Sequence, residues 1–243
     1  MGIEDMAGFV VFLAVSCMAA VGATLAGFGS STLLVPVGVH FFDIRMAIFL
    51  VACFHLFNNV FKVRVFRKKI NIRTAALFGV PSILFAFFGA SLITVIPVET
   101  VKKILGVFLV VYALSSLLKP KFTLREHGMG AVAGGSLSGF LAGLIGLGGA
   151  IRSSFLIAFN LPKEVYVATS AVIALVIDLT RIPTYIFTGA VKPGPELYLI
   201  PFLVASAYLG VRTGKRLLNR IDHLTFRRIV AAALFLVGLK ILV

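Results

Sequence analysis

The sequence predicts an all-α integral membrane protein made of two inverted repeats, each of four long helices plus a glycine-broken short segment. Three observations carry this. First, 60% of the 243 residues are apolar and 13% charged, and the mean hydropathy is +1.07; a soluble domain cannot bury that much apolar surface. Second, the apolar sequence is interrupted at two glycine clusters, Gly27-Phe28-Gly29-Ser30-Ser31 and Gly146-Leu147-Gly148-Gly149. Third, equivalent connections in the two halves carry opposite charge bias.

The apolar runs 9–26, 75–96, 104–118 and 197–209 reach or approach the roughly 20 residues that a spanning helix needs. Sliding the chain along itself by about 120 residues brings further features into register. Gly27 and Gly29 fall on Gly146 and Gly148, Asn59 and Lys62 on Asp178 and Arg181, Pro81 on Pro201, and Gly89 on Gly210. Lys102 and Lys103 fall on Arg227 and Arg228. The first half, 1–120, then reads as helices 6–26, 46–63, 73–96 and 100–118 with a short segment 30–42. The second half, 121–243, reads as helices 128–146, 164–188, 194–211 and 224–242 with a short segment 150–160. The linker runs from Lys119-Pro120-Lys121 to His127.

Orientation follows from Lys and Arg, which gather in cytoplasmic loops. Lys62, Arg64, Arg67, Lys68, Lys69 and Arg73 crowd one connection of the first half, whereas its equivalent offers Lys192 beside Glu196. Arg212, Lys215, Arg216, Arg220, Arg227 and Arg228 crowd a late connection of the second half, whose equivalent has Lys102, Lys103 and Glu99. Equivalent loops therefore lie on opposite faces, and each half crosses an odd number of times. Lys119, Lys121 and Arg125 fall inside, and Glu4 and Asp5 outside. Whether each broken segment is a re-entrant hairpin or two thin spans is open at this level. The first apolar run lacks a basic leader and reads as a retained helix. The 23 Lys and Arg against 9 Asp and Glu serve this topology, and no nucleic-acid partner is expected.

Paired interruptions in two halves of a membrane protein point to a transporter's binding site, because broken helices expose backbone groups that must face a cavity or substrate. Arg152, just past the second break, places a planar donor fork suited to oxyanions in an apolar stretch. Ser30, Ser31, Ser153 and Ser154 add hydroxyls, and Gly29, Gly148 and Gly149 bring N–H groups and positive helix ends close. Asp178 and Arg181, three apart, can neutralise each other on one helix face, and proton coupling by the carboxylate is the other reading. Thr169, Ser170 and Thr180 lie on the same segment, and Pro183 can kink it. His55, Asn58, Asn59 and Lys62 form a polar strip at helical spacing, which suits either a cavity wall or interhelical packing; Lys62 reads as an interfacial cation. Cys17, Cys53 and His40 form no metal-ligand pattern, and no nucleophile-and-base pair, P-loop or dinucleotide fingerprint is present. No metal and no cofactor are expected, and an intramembrane enzyme has no catalytic constellation to rest on.

The segments Gly27 to Ser31 through Leu34-Val35-Pro36, and Gly146 to Gly149, resemble the duplicated glycine-rich signature of the TauE/SafE sulfite exporter family, as does Ala168-Thr169-Ser170. The resemblance runs from about residue 10 to 243. It implies a secondary transporter in the cytoplasmic membrane, moving small sulfur-containing anions such as sulfite or sulfonates. The chain departs from the signature at Ser30, Ser31, Arg152 and Ser154, where substrate choice is expected to be set. The partners expected are a small anionic substrate, the lipid bilayer and, as an arrangement the sequence leaves open, a second copy in a homodimer. The rival readings are a passive anion channel and a divalent-metal transporter using His40, His55 and the cysteines.

Overall fold

The computed structural model describes residues 6–26, 29–118, 128–192, 194–217 and 223–242. Glu4, Asp5, Gly27, Phe28, the linker from Lys119 to His127 with Lys121 and Arg125, and Arg220 lie outside the described residues, as do the side chains of Arg227 and Arg228.

Every regular element among the described residues is helical, and the first half holds α1 (Met6–Ala26), α2 (Ser30–Gly38), α3 (Ile44–Phe66), α4 (Ile72–Leu92) and α5 (Val98–Leu118). The second holds α6 (Met129–Ile145), α7 (Gly148–Ala158), α8 (Lys163–Phe187), α9 (Leu199–Leu217) and α10 (His223–Leu242). Among the described residues each half therefore has four long helices and one short one, of 9 residues in α2 and 11 in α7. Four stretches among the described residues, Ile44–Lys69, Ile72–Leu92, Lys163–Phe187 and Pro195–Leu217, are long and apolar enough to cross a membrane. Local chemistry sets several boundaries. Asp43 accepts a hydrogen bond from Arg45 N–H (2.9 Å) at the start of α3, and Asn71 accepts one from Thr74 N–H (3.1 Å) at the start of α4. Arg45 Nη2 donates to the Thr94 and Ile96 carbonyls beyond α4, groups that the helix itself leaves unpaired. The chain therefore turns after Leu92, before the expected end at 96.

Both glycine breaks turn the chain back on itself. At the first, Gly29 takes φ 78°, and α2 returns along α1 until Phe41 and Phe42 pack edge-on against Phe12. At the second, Gly146 takes φ 76° and ends α6, its N–H donating to Ala142 O and that of Leu147 to Leu141 O. α7 then runs back beside α6, with Gly148 against Ser138 and Phe155 against Gly134. Each broken segment therefore pairs with the helix before it as an antiparallel hairpin, a geometry shared by a re-entrant segment and by two thin spans.

The long helices pack at close backbone approaches. Along the α4–α6 contact, Gly135, Gly139 and Gly143 meet Phe78, Ser82 and Ala86 in step, so these helices run parallel. Small residues at four-residue spacing are the usual means of close helix approach in lipid. α9 lies parallel to α1 in the same way, with Gly210 against Ala20 and Gly214 against Thr24. α3 and α8 are antiparallel at the centre, joined at His55–Asp178 and Lys69–Glu164. α5 and α10 are also antiparallel, Gly106 facing Leu242 while Leu109 and Val110 face Gly238. Exchanging α1–α5 with α6–α10 turns α4–α6 into α9–α1 and returns α3–α8 and α5–α10 to themselves. Val80, Leu84, Phe87 and Phe88 leave an exposed apolar face on α4, as a helix bordering lipid tails requires.

Glycine to alanine in a helix ordinarily gains about 1 kcal/mol. A methyl on Gly139 would sit 2.2 Å from Ser82 O, whereas one on Gly79 meets Val176 Cγ2 at an ordinary 3.7 Å. Gly139→Ala is expected to destabilise by about 1–3 kcal/mol through overpacking, and Gly79→Ala to be neutral or stabilising. Thermal unfolding of the two variants in detergent checks this; equal melting temperatures would contradict the close-approach account.

Candidate anion-binding site

The two hairpin tips meet. A methyl built on Gly29 would lie 3.1 Å from Gly149 Cα, 3.4 Å from Arg152 Nη2 and 3.5 Å from His55 Nε2. α2 and α7 both begin here, and neither has a side-chain cap on its first N–H groups. Two positive helix ends therefore converge where an anion would be stabilised.

Around this point lies a small cavity lined by Gly29, Asn59, Lys62, Arg152, Val167 and Ser170, among others, with room for about one water. Arg152 is buried, and its Nε donates to Ser170 Oγ (2.9 Å), which fixes the guanidinium at the cavity wall. Lys62, expected at an interface, is buried and lines the same cavity. The repeat register had placed Lys62 on Arg181, a buried cation, and that was the available signal. Sequence position alone suggested an interface because Lys62 opens a run of loop cations.

Beside the cavity stands a second cluster. Asp178 Oδ1 accepts from Arg181 Nε (2.9 Å) and Nη2 (2.8 Å), and Oδ2 accepts from His55 Nδ1 (2.7 Å). Because a carboxylate only accepts, His55 carries its proton on Nδ1. Arg181 Nη1 also donates to Ala142 O (2.8 Å), and Tyr185 donates its hydroxyl to the Ala142 and Gly143 carbonyls. These carbonyls belong to the end of α6 that the glycine break cuts short. Arg181 is thus a fixed cap and ion-pair partner, and Tyr185 is a member of the site that sequence reading missed. Among the described residues, His55 Nε2 and Asn58 Oδ1 are buried side-chain atoms with no hydrogen-bond partner. Asn58 Nδ2 donates to Ser30 Oγ (2.9 Å), and Asn59 Nδ2 to the His55 carbonyl (2.7 Å).

The structure gathers most but not all of the expected residues. Gly29, Gly149, Arg152, Ser170, His55 and Asn59 border or adjoin the cavity, and Ser30 and Ser31 are buried at the start of α2. Ser153 bonds back to Gly149 O (2.7 Å). Ser154 does not join the cluster: it is exposed and bonds back to Ala150 O (3.0 Å). Successive helical residues point about 100° apart, so Arg152 and Ser154 cannot share a face. Gly148 is a packing glycine, since its missing Cβ leaves room for Ser138 O, and its own carbonyl accepts from Ser138 Oγ. Thr169 Oγ1 accepts from Asn71 N–H (3.0 Å), tying α8 to the start of α4. Among the described residues no group of three His, Cys, Asp or Glu side chains could hold a metal ion. His40 turns its Nδ1 to Pro36 O.

A helical bundle with lipid-type apolar faces, hairpins broken at glycines and a buried cationic cavity at their tips defines a multi-pass membrane transporter. The chain belongs to the sulfite exporter TauE/SafE family, whose sequence pattern matches residues 12–241, and membership makes it a membrane transporter of the anion-exporting kind. Comparison with curated proteins finds no match.

Replacing Asp178 by Asn would leave Arg181 and His55 buried beside a neutral amide. Breaking a buried pair in this way costs about 3–5 kcal/mol, whereas replacing both partners by apolar residues is often nearly neutral. Asp178→Asn is expected to lower the melting temperature sharply, and Asp178→Leu with Arg181→Met to recover much of the loss. A double variant no better than the single one would show that Arg181 acts mainly through the α6 carbonyls.

Proposed function

We propose that this chain is a secondary transporter of the cell membrane that moves small sulfur-containing oxyanions, such as sulfite or sulfonates, by alternating access. The substrate site lies between the hairpin tips. One observation carries this reading. Among the described residues three cations, Lys62, Arg152 and Arg181, are buried against one carboxylate, Asp178. Arg181 satisfies Asp178, which leaves Lys62 and Arg152 as the excess positive charge at one cavity. Uncompensated buried charge is costly, and an anion of several oxygens offsets it while accepting from the guanidinium fork, the ammonium and the helix N–H groups. Such a site repels divalent cations, which argues against the metal-transport reading.

Alternating access draws support from the architecture. Equivalent helices α3 and α8, and α5 and α10, run antiparallel, and exchange of the halves preserves the packing pairs. These features suit an inverted repeat in which each half takes the other's conformation in turn. The cavity holds about one water, so a substrate anion requires the hairpins to separate. A site that must open to fill and close to cross belongs to a carrier, which favours this reading over a channel.

Sulfite counterflow in proteoliposomes tests the proposal. Trans-stimulated flux is expected in the wild type. Arg152→Gln and Lys62→Gln are each expected to weaken sulfite binding by about 30-fold or more, corresponding to loss of about 2 kcal/mol per buried charge contact. Unchanged flux in Arg152→Gln would remove the site assignment, and sulfite flux without trans-stimulation would favour a channel.

A further inference from the structure

A second cationic feature lies away from the cavity. The C-terminal halves of α3 and α9 stand side by side and form a groove of about 760 Å³. Arg64, Arg212, Lys215 and Arg216 line it, and among the described residues no carboxylate does. Among the described residues none of these four pairs with an acidic side chain; Arg212 Nη1 reaches only the Tyr208 hydroxyl, at 3.4 Å. The groove wall is apolar and aromatic: Phe61 packs edge-on against Tyr208 with ring centroids 5.4 Å apart, beside Val65 and Val211. Tyr208 and Val65 remain 47% and 38% exposed, so apolar surface lies open directly beside the charges.

The general causes of basic helix ends do not account for this arrangement. A cation in the last turn offsets the negative end of a helix dipole, and loop cations set orientation wherever they stand in the loop. Neither effect calls for four cations converging from two helices onto one apolar wall. A small soluble anion would meet the cations but leave the wall uncovered, and helix C-termini disfavour it. A second copy approaching by the same face would bring its own four cations.

We propose that this groove binds an anionic phospholipid, with the phosphate and headgroup held by Arg64, Arg212, Lys215 and Arg216 and an acyl chain lying along Phe61, Val65 and Tyr208. The loops that continue from these helix ends are the cation-rich ones, which places the groove in the cytoplasmic leaflet. Basic pockets between spanning helices on that side suit acidic headgroups. The site is separate from the anion cavity and does not depend on the substrate proposed above.

Purified protein in a neutral detergent, titrated with phosphatidylglycerol, phosphatidylcholine or glycerol 3-phosphate, tests the assignment by thermal unfolding and by native mass spectrometry. Phosphatidylglycerol is expected to raise the wild-type melting temperature by roughly 3–6 °C through binding to the folded state and to remain attached in the spectra. Phosphatidylcholine and glycerol 3-phosphate are expected to do neither. Arg212→Gln with Arg216→Gln should lose at least half of the shift and one retained lipid, and Arg64→Gln should act in the same direction. Lys102→Gln, outside the groove, should leave both unchanged. These groove side chains are exposed, so the variants are expected to fold. Equal stabilisation by phosphatidylcholine, equal stabilisation by glycerol 3-phosphate, or an undiminished phosphatidylglycerol effect in both groove variants would each overturn the proposal.

Discussion

A helix cut short inside a membrane protein leaves carbonyl and N–H groups that neither lipid nor water can satisfy, and the centre of this molecule is arranged around that constraint. At the end of α6 the Gly143 carbonyl accepts from the Tyr185 hydroxyl, and the Ala142 carbonyl, which already accepts from Gly146 N–H, takes the Arg181 guanidinium as a further donor. A buried guanidinium needs a counter-charge, and Asp178 supplies it from one turn earlier on α8. The second oxygen of Asp178 holds His55 across the interface between the halves. A single break thus fixes the register of α8 against α6 and of α3 against α8. The opposite ends of the breaks, the starts of α2 and α7, have no side-chain caps and meet beside the cavity that Arg152 and Lys62 line. At the second break the carbonyl end is closed by protein groups, and at both breaks the helix starts lie where an anion can use them.

The two cation sets of the molecule differ in what surrounds them. At the hairpin tips the cations are buried, the neighbours are helix starts, and the space is small. At the ends of α3 and α9 they are exposed, the neighbours are helix ends, and the wall is apolar. The first environment concentrates positive potential on a compact ligand; the second matches a ligand with a charged head and an apolar tail. Tight glycine contacts along α4–α6 and α1–α9 hold each hairpin to a long helix of the other half, so separation of the tips must involve movement between these units or of the tips themselves.

Much of the fold was legible in the sequence because apolar length and glycine position report directly on helices and their breaks. The four long helices and one short segment per half stand as expected among the described residues, with boundary shifts at the end of α4, which Arg45 closes, and in α9, which runs Leu199–Leu217 where 194–211 was expected. The direction of α2 and α7 was not legible, since a short apolar segment reads the same whether it continues or returns. The glycines of α6 were read for breaks and not for contact, although Gly135, Gly139 and Gly143 lie at the spacing of one helix face. Within the site, Arg152 was legible as a lone cation in an apolar run, and the Asp178–Arg181 pair from its spacing. His55 binding Asp178 spans 123 residues and left no local signal. Lys62 was hidden among loop cations, and Ser154 was included because neighbours in sequence were taken as neighbours in space.

The central claim is that the excess charge of Lys62 and Arg152 exists to hold an oxyanion between the hairpin tips. Selenite has the pyramidal shape and charge of sulfite with a heavier central atom that can be located by anomalous scattering. Crystals of the protein grown with selenite are expected to show one selenium peak between Gly29, Gly149, Arg152 and Lys62, with the tips moved apart to admit it. A selenium peak confined to the α3–α9 groove, or none at a concentration that saturates binding in solution, would contradict the account.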